Sequence, residues 1–79
     1  MTMLYYKVTT RDDELLAVGK DRGQGMIIYD QGAFVMSTVL AEWINKKLKT
    51  DTYSWKWAFL DQVEFETYQA FGIKEIKIP

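Results

Sequence analysis

Residues 52–59 read Thr52-Tyr53-Ser54-Trp55-Lys56-Trp57-Ala58-Phe59, a strict alternation of large aromatic with small or charged side chains. In a strand, Tyr53, Trp55, Trp57 and Phe59 fall on one side and Thr52, Ser54, Lys56 and Ala58 on the other. Aromatics massed on one side describe a half-buried strand at the centre of a core. Directly after it, Leu60-Asp61-Gln62-Val63-Glu64-Phe65 carries a helix start. Asp61 can cap the amide of Glu64, Glu64 can reach back, and Leu60 can staple onto Phe65.

The other elements follow outward from this junction. Leu4 to Thr10 is β-branched and aromatic, with Leu4, Tyr6 and Val8 on one side and Tyr5, Lys7 and Thr9 on the other, and predicts a strand. Arg11-Asp12-Asp13-Glu14 is a polar turn leading into the apolar Leu15–Val18. Lys20 to Gly25 reads as the next turn and Met26–Tyr29 as a third strand. Ala33–Met36 fits either a fourth short strand or a first helical turn; a strand is favoured because Ser37 and Thr38 offer a cap just beyond it. Leu40, Trp43, Ile44 and Leu48 recur at helical spacing, with lysines 46, 47 and 49 at the helix end, where they suit the dipole. A second helix, roughly Gln62 to Phe71, ends at Gly72, and Ile73–Ile78 gives a last strand with Ile76 and Ile78 inward. The expectation is one α+β domain over 1–79, ordered β-β-β-(β)-α-β-α-β. Its sheet should be mostly antiparallel, with the two helices packed on one face.

Composition narrows the functions. A 79-residue chain buries only about 60–65% of its unfolded surface. Its hydrophobic fraction of 48% argues for a folded core. Ten basic and eleven acidic residues leave a net charge of −1, which creates no strong field toward nucleic acid or an anionic membrane. Cysteine and histidine are absent, which removes thiol nucleophiles, Cys/His zinc sites and the usual general base near neutral pH. No apolar run approaches the ~18 residues of a membrane span and no leader follows Met1, so a cytoplasmic protein without membrane contact is expected.

The motifs point the same way. Gly19-Lys20-Asp21-Arg22-Gly23-Gln24-Gly25 lacks the Lys-Ser/Thr pair of a P-loop and the third glycine of a dinucleotide fingerprint, so it reads as a turn. Asp12, Asp13 and Glu14 lack the spacing of a calcium loop and read as a solvated turn. No nucleophile or metal motif is present. A non-enzymatic chain with no catalytic, cofactor or metal site is therefore expected.

Three classes remain. The favoured one is a protein-binding module, because Tyr, Trp and Arg dominate such interfaces. Tyr5, Arg11, Lys20, Arg22, Tyr29 and Trp43 are its candidate contact residues. The second is single-strand nucleic-acid binding, with Tyr53–Phe59 stacking bases and Lys7, Lys56, Lys74 and Lys77 meeting phosphates. The third is a self-associating assembly subunit joined through sheet ends. In size and style the chain resembles the small accessory proteins of bacterial viruses and other mobile elements, anti-CRISPR and anti-restriction proteins among them, with no residue motif behind the likeness. That resemblance implies inhibition or modulation of a host enzyme by binding it.

Overall fold

A computed structural model describes residues 3–23, 25–28 and 34–77. Strands β1 (Leu4–Thr10), β2 (Leu15–Asp21), β3 (Met26–Ile28) and β4 (Phe34–Met36) precede helix α1 (Thr38–Leu48). A 3-10 turn (Thr52–Ser54), strand β5 (Trp55–Leu60), helix α2 (Gln62–Ala70) and the two-residue strand β6 (Glu75–Ile76) complete the order. The main sheet runs β5-β1-β2-β6; β1 is antiparallel to both its neighbours, and β6 joins β2 in parallel. β3 and β4 form a separate antiparallel pair. This is the α+β domain that the pattern of elements predicts, and Phe34–Met36 is a strand.

Local chemistry sets the helix ends. The Ser37 hydroxyl accepts from the amide of Leu40, and α1 closes at Lys49, held in the left-handed region at φ 56°. At α2, Asp61 accepts from the Glu64 amide at 2.8 Å while Glu64 reaches back to the Asp61 amide at 3.4 Å. Leu60 and Phe65 join one apolar cluster, which completes the staple. Gly72, at φ 81°, ends the helix, and the amide of Ile73 returns to the Tyr68 carbonyl at 3.2 Å.

The two helices pack against the sheet from opposite faces, which corrects the expectation of a single covered face. Tyr6, Val8 and Ala17 cluster with Leu40 and Ile44 of α1, together with Trp55 and Ile76. Val18 clusters with Leu60 and with Phe65 of α2, and Tyr5 packs there with its ring centroid 4.9 Å from that of Phe65. Tyr5 and Tyr6, like Ala17 and Val18, are consecutive strand residues and so point to opposite sides. Both sides of the central strands are apolar enough to need a cover.

A β-bulge adjusts this arrangement. Val8 pairs with Ala17 while the next residue, Thr9, pairs with Leu15, so Leu16 is the extra residue. Leu15 consequently joins the α2 side while Leu16 and Ala17 both join the α1 side.

The aromatic stretch also departs from simple alternation. Asp51 accepts from the Tyr53 amide at 3.0 Å and from the Ser54 hydroxyl at 2.9 Å, which winds residues 52–54 into the 3-10 turn. Tyr53 is left 86% exposed. Trp55 is buried, its indole N–H donating to the Asn45 side chain at 2.6 Å. Trp57 is half-buried against the core, and Phe59 is 43% exposed because β5 lies at the end of the sheet. The strand is thus an edge of the fold rather than its centre. Among the described residues of the last predicted strand, Glu75–Ile76 pair with β2, with Ile76 buried; Ala33 and Ile78 lie outside the described residues.

Tyr6 is fully buried opposite Gly19, where a Cβ would run into the Tyr6 ring. Gly19→Ala is expected to cost about 1–3 kcal/mol through overpacking, read as a lower urea midpoint at unchanged slope. Burial also pushes the Tyr6 phenol well above its ordinary 10.0, helped by the negative charges of Asp21 and Glu75. The neutral phenol's contribution is therefore fully present below the unfolded value and is lost as pH rises through the folded one. The urea midpoint should hold level up to about pH 9.5 and fall beyond it, with a shallower fall in Tyr6→Phe.

Candidate functional site

Sequence reasoning singled out residues that the fold distributes over several regions. Tyr5 is half-buried beneath α2 against Phe65, so it is a packing residue more than a surface one. Arg11 is exposed at the β1–β2 turn, and its Nε donates to the Tyr53 carbonyl at 2.9 Å. Lys20 is exposed at the far end of β2, where it shares a shallow groove of about 400 Å³ with Gln69, Glu75, Ile76 and Lys77. Arg22 is exposed just beyond. Trp43 is half-buried on α1, its indole N–H donating to the Lys77 carbonyl at 2.5 Å and the Lys46 ammonium 5.6 Å over its ring. Tyr29 lies outside the described residues. These side chains do not form one surface, because Arg11 and Lys20 stand at opposite ends of the antiparallel β1–β2 pair.

The glycine-rich segment has its own anion. Asp21, 4% exposed, accepts from the Gly23 amide at 2.7 Å and from the Gly25 amide at 2.8 Å. Backbone amides gathered in a turn make an anion seat, and here a carboxylate from β2 takes it. Lys20 and Asp21 belong to β2, so the turn begins later than the glycine spacing suggests.

The acidic turn is likewise committed locally. The Thr10 hydroxyl accepts from the amides of Asp12 at 3.3 Å and Glu14 at 3.1 Å, and Asp13 forms an ion pair with Lys56. Among the described residues, no three His, Cys, Asp or Glu side chains converge where a metal ion can be held. No helix of the described residues is long and apolar enough to cross a membrane.

The arrangement that can bind something is the outer edge of β5. Among the described residues β5 has a strand neighbour on one side alone, β1. Along it runs an open groove of about 410 Å³ lined by Arg11, Met36, Ala41, Thr52, Trp55, Lys56 and Trp57. Tyr53 stands exposed beyond one end of the strand; Phe59, edge-on to Trp57 at 4.9 Å, lies toward the other. Of the groove residues, Arg11 is a candidate of the protein-binding reading, and Trp55, Lys56 and Trp57 are candidates of the nucleic-acid one. Met36, Ala41 and Thr52 arrive from three separate segments, and no local pattern marks them. No protein-family model, curated protein or solved structure matches the chain. What the site can do follows from its own chemistry.

That chemistry includes one titration at its border. The hydrogen bond and charge of Lys56, with Lys7 adding to them, hold the fully exposed Asp13 carboxyl below its ordinary value of 3.8. A depressed folded pKa means that the pair contributes above the unfolded value and is lost as pH falls through the folded one. Carbon-detected NMR titration of Asp13 should give a midpoint below 3.8, returning toward the ordinary carboxylate range in Lys56→Ala.

Proposed function

We propose that this chain is a non-enzymatic protein-binding module that uses the outer edge of β5. Among the described residues the side of β5 away from β1 has no strand neighbour, and the groove beside it with its Met36, Ala41, Trp55 and Trp57 shelf is the observation that supports this reading. Such an edge presents a row of backbone donors and acceptors to which an extended segment of another protein can add as a further strand. Trp57, Phe59 and Tyr53 supply aromatic contact area along it, and aromatic anchors dominate binding energy. Acting in this way, the protein would inhibit or modulate a host enzyme, in the manner of the accessory proteins of mobile elements.

Nucleic-acid binding has less support from the geometry. Trp57 and Phe59 share one face of the sheet, because they pair with Val8 and Tyr6; Lys7 and Lys56, paired with Ala58 and Thr9, share the other. Stacking and phosphate contacts would then fall on opposite sides, and Lys56 is engaged by Asp13.

Affinity capture from bacterial lysate, with nuclease treatment, tests the assignment. One stoichiometric protein should survive nuclease and be lost from the Tyr53→Ala/Phe59→Ala variant, whose substitutions fall on exposed side chains. Capture that disappears with nuclease alone would replace this reading with the nucleic-acid one.

A further inference from the structure

We propose that the partner segment at β5 is an extended strand in which apolar and acidic residues alternate; this rests on the protein-binding reading above. A strand added to β5 continues the sheet, so its side chains alternate between the two faces. On the α1 face they meet an apolar shelf made by Met36, Ala41, Trp55 and Trp57. On the other face they meet Lys56, since Lys56 alternates with Trp55 and Trp57 along β5. Arg11 adds a second cation to the lining of the same groove.

The two cations differ in what already satisfies them. The Lys56 ammonium is held by Asp13. Arg11 uses its Nε for the Tyr53 carbonyl, and among the described residues no carboxylate forms an ion pair with it. Tethering through Nε fixes the guanidinium while its two terminal nitrogens keep a planar pair of donors, the geometry that matches a carboxylate. Of the two cations in the groove lining, Lys56 is already matched by Asp13 and Arg11 carries the uncompensated charge. An apolar side chain on the shelf and a carboxylate set against the Arg11 guanidinium therefore complement the site together, and a cationic row does not.

Three blocked nonapeptides test this directly, with valine alternating with glutamate, glutamine or lysine. Each is titrated into the isotopically labelled full-length protein while backbone amide signals are followed by NMR. The valine–glutamate peptide should move the signals of residues 55–60 and bind at least about tenfold more tightly than the valine–lysine peptide. That preference should shrink with added salt and disappear in Arg11→Ala, with folding checked by circular dichroism. If Arg11→Ala disturbs the turn that it holds, Arg11→Lys keeps the charge and should keep part of the preference.

Equal binding of all three peptides at β5 would overturn the acidic-partner inference and leave the edge reading standing. Binding that leaves residues 55–60 undisturbed, or no binding at all, would remove both. A concentration-dependent dimer of the protein alone, with its β5 amides protected from exchange, would give the edge to a second copy and overturn the proposal.

Discussion

The ring of Tyr6 lies where Gly19 has no side chain, and the sheet is built around that contact. Tyr6 is 1% exposed and Gly19 is its direct partner across the β1–β2 ladder. Interiors are close-packed, so a large ring in mid-sheet needs a matching absence nearby. With the ring in place, Val8, Ala17, Leu40, Ile44 and Ile76 close around it as one cluster. The neighbouring Tyr5 points the other way and organises the second cluster with Phe65. Two adjacent tyrosines thereby anchor both layers of helix. This suits a chain whose small size leaves little apolar area to spare.

Four of the eleven acidic residues are committed to local structure. Asp21 holds the amides of Gly23 and Gly25, Asp51 winds the turn ahead of β5, and Asp61 caps α2. Asp13 is matched to Lys56. Each carboxylate acts on its own neighbourhood, satisfying donors that a short chain would otherwise leave to water. What remains at the β5 groove is the charge of Arg11, in a protein whose overall charge is nearly balanced. Net charge alone does not reveal it.

Much of the fold was legible because its signals are local. The Ser37 cap, the Asp61–Glu64 box and the left-handed Gly72 depend on residues within a few positions of one another. The order of strands and helices followed from the same short-range patterns. The layering was not legible, because alternation says which residues share a side and not which side is covered. Tyr5 reads as a surface contact on the side it shares with Lys7 and Thr9, yet Thr9 is 4% exposed and Tyr5 lies under α2. Tyr53 was misplaced because Asp51 offers its amide a closer partner than a ladder would. The groove was the least legible feature. Trp55, Trp57 and Lys56 are adjacent in sequence, but Met36, Ala41 and Arg11 reach them only through the tertiary fold.

The bulge at Leu16 has a bearing on how this chain can vary in length. Elsewhere in β2, gaining or losing one residue would exchange the inner and outer faces of everything beyond it. At Leu16 the count is already irregular, with Thr9 facing Leu15 and Val8 facing Ala17. Deleting that one residue would leave the flanking pairs in phase and sacrifice only the Leu16 contact with the α1 layer. β2 thus contains a built-in slack link, the one position along it where a deletion need not be a frameshift of the packing.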